Sequence, residues 1–311
     1  MTMNEPQPAP ERTTLAKIFL SPDEPRLRAG WRILVHALGY NILLVGLSIT
    51  AFIPVFVYGV SPTNLWLNEI IAVLAVTPSV FLARRFIDKR SIFSLGLQIS
   101  PQTFLDLLAG IAITFVMMGM IYLIEWMAGW LTFDGFAWES TSTGTVIFSV
   151  AEMLLLFVIV GWQEELLYRG YRLQNITEGL NPIWGLVISS AWFGAAHFFN
   201  PNATVISTTG IFLAGLFLAY PYLRTRQLWL SIGLHIGWNF FEGPVFGFPV
   251  SGLNSFALIH IRTLGPELWT GGAFGPEAGL VILPALLAGA GLVFWYTRQR
   301  RPKTDGDLTR L

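Results

Sequence analysis

Eight long apolar stretches constrain this chain more than any other feature. They occupy residues 33–58, 66–83, 104–131, 146–168, 183–199, 205–223, 228–241 and 280–296. A helix needs about 20 apolar residues, with a range of roughly 17–25, to cross a bilayer. Most of the stretches meet that length. The seventh is short, and Gly233 and Gly237 weaken it as an isolated helix; small residues at that spacing instead let neighbouring helices approach closely. Only 12% of the 311 residues are charged, against about 25% in an ordinary soluble domain, and the mean hydropathy is +0.58. The expected fold is therefore all-α: a polytopic membrane helix bundle of about eight transmembrane helices. Residues 1–30 read as a disordered cytosolic tail, 31–297 as one transmembrane domain with a motif core at 146–252, and 298–311 as a basic cytosolic tail.

The basic residues orient the bundle. With the N-terminus inside, 18 of the 19 Lys and Arg fall on inner segments and only Arg262 falls outside. This is the asymmetry of the positive-inside rule. Removing the seventh span would place the basic tail from Arg298 outside, so the pattern predicts eight spans with both termini cytosolic. The Gly- and Pro-rich segment 243–279 is then an outer loop, long enough to fold back over the mouth of the bundle. Net charge is zero, which gives no nucleic-acid signature. The absence of cysteine excludes disulfides, thiol catalysis and Cys-type zinc sites. The polar, proline-rich N-terminus has no signal-peptide pattern.

Against this apolar background, a few polar residues stand out. Glu164, Glu165 and Arg169 lie within six residues at the end of the fourth stretch. A charge at bilayer depth costs roughly 2.5–3.5 kcal/mol even on the gentler scales, so an intramembrane group of three marks a site by default. Glu165 and Arg169 stand at i, i+4 with the acid first, the favourable order for an ion pair. Adjacent helical residues point about 100° apart, so Glu164 faces another neighbour. A carboxylate in an apolar recess suits a general base. The competing reading is a plain interfacial charge cluster at a helix end near the cytosol. Phe193 and His197 share one face of the fifth stretch, where Gly194 and Ala195 leave room for a close helix; His235 and Asn239 do the same on the seventh. Each pair alone is compatible with simple packing. Together with the glutamates they are polar groups in separate membrane helices that need one another as partners. His36 and His260 lack this context and read as non-catalytic.

Three motifs thus occur in order: E-E-x-x-x-R at Glu164 to Arg169, F-x-x-x-H at Phe193 to His197, and H-x-x-x-N at His235 to Asn239. Their order, spacing and membrane setting resemble the CAAX prenyl endopeptidase and bacteriocin-processing family, the Abi or CPBP intramembrane proteases. The resemblance covers roughly residues 151–252. It implies an endopeptidase acting on a membrane-associated or lipid-modified protein or peptide near the cytosolic face. By that resemblance Glu164 activates the hydrolytic water with His197 as helper. His235 and Asn239 stabilise the oxyanion, Glu165 and Arg169 orient the site, and Phe193 shapes the cavity. Two His and a Glu also match a catalytic zinc set. With dispersed ligands and no H-E-x-x-H, catalysis without a metal or other cofactor is favoured, and zinc on Glu164, His197 and His235 is the alternative. Two other functions compete: a non-catalytic scaffold or bacteriocin-immunity protein, and a proton-coupled transporter, which the missing internal repeat counts against. The bilayer and a membrane-bound substrate are the expected partners.

Overall fold

The structure, a computed structural model, describes residues 13–58 and 65–300. Its helices are α1 (Thr14–Phe19), α2 (Ala29–Tyr58), α3 (Leu65–Leu82), α4 (Pro101–Met127), α5 (Thr143–Glu165), α6 (Leu173–Gly179), α7 (Pro182–Ala196), α8 (Val205–Thr225), α9 (Trp229–Phe240), α10 (Glu267–Thr270) and α11 (Ile282–Thr297). All eight apolar stretches are helical. Six helical segments are long and apolar enough to cross a membrane, and α11 is a shorter apolar helix. The chain is a multi-pass integral membrane protein built as an α-helical bundle.

Polar residues at the boundaries start these helices. Asn181 Oδ1 accepts the Trp184 N–H at 3.0 Å and precedes Pro182 at the first position of α7. Thr204 and Ser207 cap α8 reciprocally, with Ser207 N donating to Thr204 Oγ1 at 3.1 Å and Thr204 N donating to Ser207 Oγ at 2.7 Å. Such caps satisfy amide groups that have no partner inside the helix.

The seventh apolar stretch, α9, is the bundle's centre rather than a lipid-facing span. Its 12 residues run on into a π-helical turn, Phe241–Val245, about 25 Å of helix in all, at the short end of the range for a crossing. Every residue from Leu230 to Asn239 is buried. It lies against α4 and α5 at glycines. A Cβ on Gly233 would collide with the Leu107 backbone, one on Gly237 with Thr114 and Ile111, and one on Gly110 with Gly233 and Leu234. On α5, a Cβ at Gly161 would come within 2.8 Å of Ile236. The expected close approach at Gly194 is also present, against Thr208 and Phe212 of α8. By contrast α2 exposes Leu38, Ile42, Val45, Ile49 and Ile53, the apolar surface that a helix at the lipid boundary requires.

The fourth stretch runs on past its expected end at residue 168. After α5 the helix widens into a π-helical turn, Leu166–Arg172, and continues as α6, so that Thr143–Gly179 is one 37-residue segment. Arg169 and Arg172 do not terminate it because their charges are absorbed. Arg172 lies 3.7 Å from the Trp192 ring centre and 4.7 Å from that of Tyr168, in favourable cation–π range.

Residues 13–30, expected within a disordered tail, are partly built into the bundle; residues 1–12 and 301–311 lie outside the described residues. Arg26 is buried and donates to Glu178 at 3.2 Å. Arg32 donates to the same carboxylate at 2.6 Å, and Arg90 pairs with it as well. Buried Asp88 meets Arg84 at 3.0 Å, Arg32 at 3.4 Å and the Asn175 amide at 3.2 Å. The basic segments that orient the chain are thus held by acids from α6 and the α3–α4 connection.

The bundle also carries a small antiparallel sheet, β1 (Leu131–Phe136) with β2 (Ile259–Thr263), an addition to the all-α expectation. Leu131 pairs with Thr263 and Phe133 with Ile261, with a bulge between Phe133 and Gly135. Arg262 grips Asp134 through two hydrogen bonds of 2.6 and 3.1 Å. This pairing brings segment 243–279 back onto the bundle.

Candidate active site

Glu165 and Arg169 form the buried anchor of the site. Arg169 Nη1 donates to Glu165 Oε1 at 2.7 Å across the first turn after α5, and Nη2 donates to the Gly215 carbonyl of α8 at 3.1 Å. Both side chains are fully buried. This is the pair that the i, i+4 spacing predicts. Burying one partner without the other would cost several kcal/mol, so the pair is also a structural lock between α5 and α8.

His235 joins this pair from α9. Its Nδ1 lies 2.8 Å from Glu165 Oε1. A carboxylate already receiving Arg169 is an acceptor only, so Nδ1 carries the proton and donates. The other ring nitrogen, Nε2, then points to Glu164, 3.5 Å from its Oε2. Adjacent glutamates thus take different jobs: Glu165 fixes the imidazole tautomer and orientation from behind, and Glu164 stands in front. A carboxylate that orients a working histidine from behind recurs in catalytic sites of many folds.

Phe193 lies beside three members of the group. Its ring centre lies 4.4 Å from the Arg169 guanidinium carbon, 4.7 Å from His197 and 6.0 Å, edge-on, from His235. His197 ends α7. Its Nδ1 lies 2.8 Å from the Phe193 carbonyl oxygen, which can only accept, so Nε2 is left as the lone-pair nitrogen. Asn239 is 7% exposed, and its side chain has no hydrogen-bond partner among the described residues.

These groups converge on one cavity of about 220 Å³, lined by Glu164, Phe193, His197, His235 and Asn239. All the expected site residues are therefore in it or directly behind it. Glu164 is the twenty-second residue of the 37-residue helix, which runs on through the π-turn and α6 for about 22 Å beyond it. That position removes the reading of a charge cluster at a helix end. His36 and His260 are elsewhere: His36 packs on Tyr171 at 4.2 Å between ring centres, and exposed His260 sits in β2.

The cavity has further members that the three motifs do not contain. Glu69 comes from α3, with Gln163 donating to its Oε2. The sequence did hold a signal for it, since a carboxylate in an apolar stretch meets the same criterion as Glu164. Glu277, Ser251 and Asn254 come from the segment that folds back. Trp238 Nε1 donates to Glu277 Oε1 at 3.0 Å, while the Ser251 amide and hydroxyl donate to Oε2 at 2.9 and 2.6 Å. Nothing in a Gly- and Pro-rich loop marks these in advance.

The zinc alternative requires Glu164, His197 and His235 to converge. Among the described residues no three His, Cys, Asp or Glu side chains form a group able to hold a metal ion. The three side chains line one cavity but are not gathered as a zinc site in this arrangement.

A buried Glu–Arg–His anchor, with a second glutamate, histidine and asparagine around a cavity inside an apolar bundle, defines an intramembrane site of polar chemistry. Residues 146–241 match the family described as type II CAAX prenyl endopeptidase Rce1-like, which bears out the resemblance in the motifs. The chain is also similar to the uncharacterized protein YyaK of Bacillus subtilis (strain 168), 26% identical over 250 residues, covering 78% of this chain and 79% of that protein. No solved structure matches.

Proposed function

We propose that the chain is an intramembrane endopeptidase that hydrolyses a peptide bond in a membrane-associated or lipid-modified substrate by water activation at Glu164. The observation that carries this reading is the pairing of roles around His235. One glutamate is tied to Arg169 and the imidazole, while the other faces the cavity with His197 and Asn239. Glu164 takes a proton from a water held between its carboxylate and His197 Nε2. The hydroxide attacks the scissile carbonyl carbon. The oxyanion that forms receives the Asn239 side-chain N–H, which has no competing partner. Preorganised donors in a dry site contribute about 2.7–4 kcal/mol to such a step. His235, held by Glu165 through Nδ1, presents Nε2 as an acceptor beside Glu164, where it can receive the Glu164 O–H once that carboxylate has taken the proton. The C–N bond then breaks, and the proton on Glu164 passes to the departing amine. The apolar walls, including Leu156, Phe157 and Val160, fit a substrate entering from lipid.

Cells carrying wild type or Glu164→Gln provide the test, scored for new peptide termini among membrane proteins. Termini present only with wild type are expected. If a folded, expressed Glu164→Gln yields the same termini, the protease reading fails and a non-catalytic scaffold becomes the better account. A chelator added to the wild-type sample is expected to leave cleavage unchanged.

A further inference from the structure

The cavity wall carries acids and two histidines, His197 and His235. Glu69, Glu164 and Glu277 line it, and no Lys or Arg does among the described residues. The adjacent arginine, Arg169, is fully engaged by Glu165, the Gly215 carbonyl and the Phe193 ring.

The three carboxylates differ in what already holds them. Glu277 has both oxygens occupied by Trp238 and Ser251. Glu164 stands against His235. Glu69 receives Gln163 at Oε2, and its Oε1 has no hydrogen-bond partner among the described residues. Glu69 and Glu164 line the same apolar cavity, and two carboxylates sharing such a site are unfavourable as a charged pair unless a cation joins them. A second observation marks the space as a ligand site. Asn239 is more than nine-tenths buried, lines the same cavity and has no partner. Its amide is therefore free to meet whatever enters the cavity, and a peptide carbonyl can accept its N–H.

We infer that the cavity selects a polypeptide segment bearing a cation, an ammonium or guanidinium, beside the scissile bond, with Glu69 as the subsite that binds it. This rests on the endopeptidase reading. A cation there joins Glu69 and Glu164 and pairs an otherwise open carboxylate oxygen. A free C-terminal carboxylate would meet three acidic side chains and no Lys or Arg in the wall, so such ends are disfavoured. The cation can be a Lys or Arg side chain within the substrate or the free amine of a nearby N-terminus. Glu69 lies outside the region matched to the family, 146–241, so this preference would be a property of this chain's own α3.

The test maps every new terminus in membranes from cells carrying wild type, Glu164→Gln or Glu69→Gln. It then assays peptides made to a mapped site with Lys, Gln or Glu at the proposed position, each with a free or acetylated N-terminus. With wild type, Lys or Arg should be enriched beside the cut relative to residues at equal depth in uncut proteins. The Lys peptide should exceed the Gln peptide by about tenfold or more in kcat/KM, and Glu69→Gln should bring the ratio close to one. If Lys exceeds Gln and acetylation has no effect, the side chain is the cation; if Lys and Gln peptides cleave alike and acetylation slows both, the N-terminal amine is. Equal wild-type rates on Lys, Gln and Glu peptides that acetylation leaves unchanged would overturn the inference while leaving the protease intact, and need no variant to fold. A preference that survives in Glu69→Gln would overturn the assignment to Glu69. Absence of any terminus dependent on Glu164 would overturn the protease reading and this inference with it.

Discussion

Arg169 shows how one side chain serves both stability and chemistry. It closes the charge on Glu165, holds the Gly215 carbonyl of α8 and stacks on Phe193. Arg169→Ala leaves a buried carboxylate unpaired, a change of about 3–5 kcal/mol. It is expected to lower the yield of monodisperse protein and to abolish cleavage; normal yield with full activity would refute the pairing. Glu165→Gln with Arg169→Met removes both charges together. That double variant should recover much of the yield but not the activity, because His235 loses the carboxylate that fixes its tautomer. Legibility at this scale followed one rule. Glu164, Glu165, Arg169, His197, His235 and Asn239 were readable because each is polar where its neighbours are apolar. Glu69 obeys the same rule, but it lies far from the motifs and has no polar neighbour at helical spacing to lend it weight. Glu277 was illegible for a different reason: among loop residues a glutamate is ordinary, and only the fold reveals that it is buried.

Among the elements, α9 departs most from what its length suggests. Its 12 residues, extended by a π-helical turn to Val245, make only a short crossing, yet it is held on several sides by neighbours that approach at Gly110, Gly161, Gly233 and Gly237. Its stability comes from contacts that no isolated segment can make. Gly233→Leu should push α4 away and destroy the folded state, read as loss of a monodisperse peak in detergent and of all cleavage. Gly291→Ala, where an added Cβ meets nothing within 4 Å, is the control and should leave both unchanged. Equal behaviour of the two would show that the α4–α9 contact is not needed. The strands β1 and β2 were unreadable because each is a few residues long and separated from its partner by more than 120 residues. Their alternation has meaning only once the bundle has brought them together.

For the whole molecule, charge placement predicts that both termini and the basic segment between α3 and α4 face the cytosol. The chain has no cysteine, so any introduced one is unique. Lys89→Cys should resist a membrane-impermeant thiol reagent in intact cells and react after permeabilisation, while Thr132→Cys should react at once. The opposite pattern would invert the topology. The widened turn Leu166–Arg172 ties this orientation to the chemistry. A π-helical turn is in effect one residue more than a regular helix needs, so it shifts the angular phase of everything beyond it by about 100°. On one side of the turn α5 aims Glu164 at the cavity; on the other α6 aims Glu178 at Arg26, Arg32 and Arg90. A uniform helix could satisfy only one of those two bearings. The length of this turn is therefore a phase setting between the membrane-embedded site and the N-terminal segment docked at the far end of the same rod. Deleting Gly170 should restore a regular helix and leave one end misaligned, even though the deleted residue carries no side chain of its own.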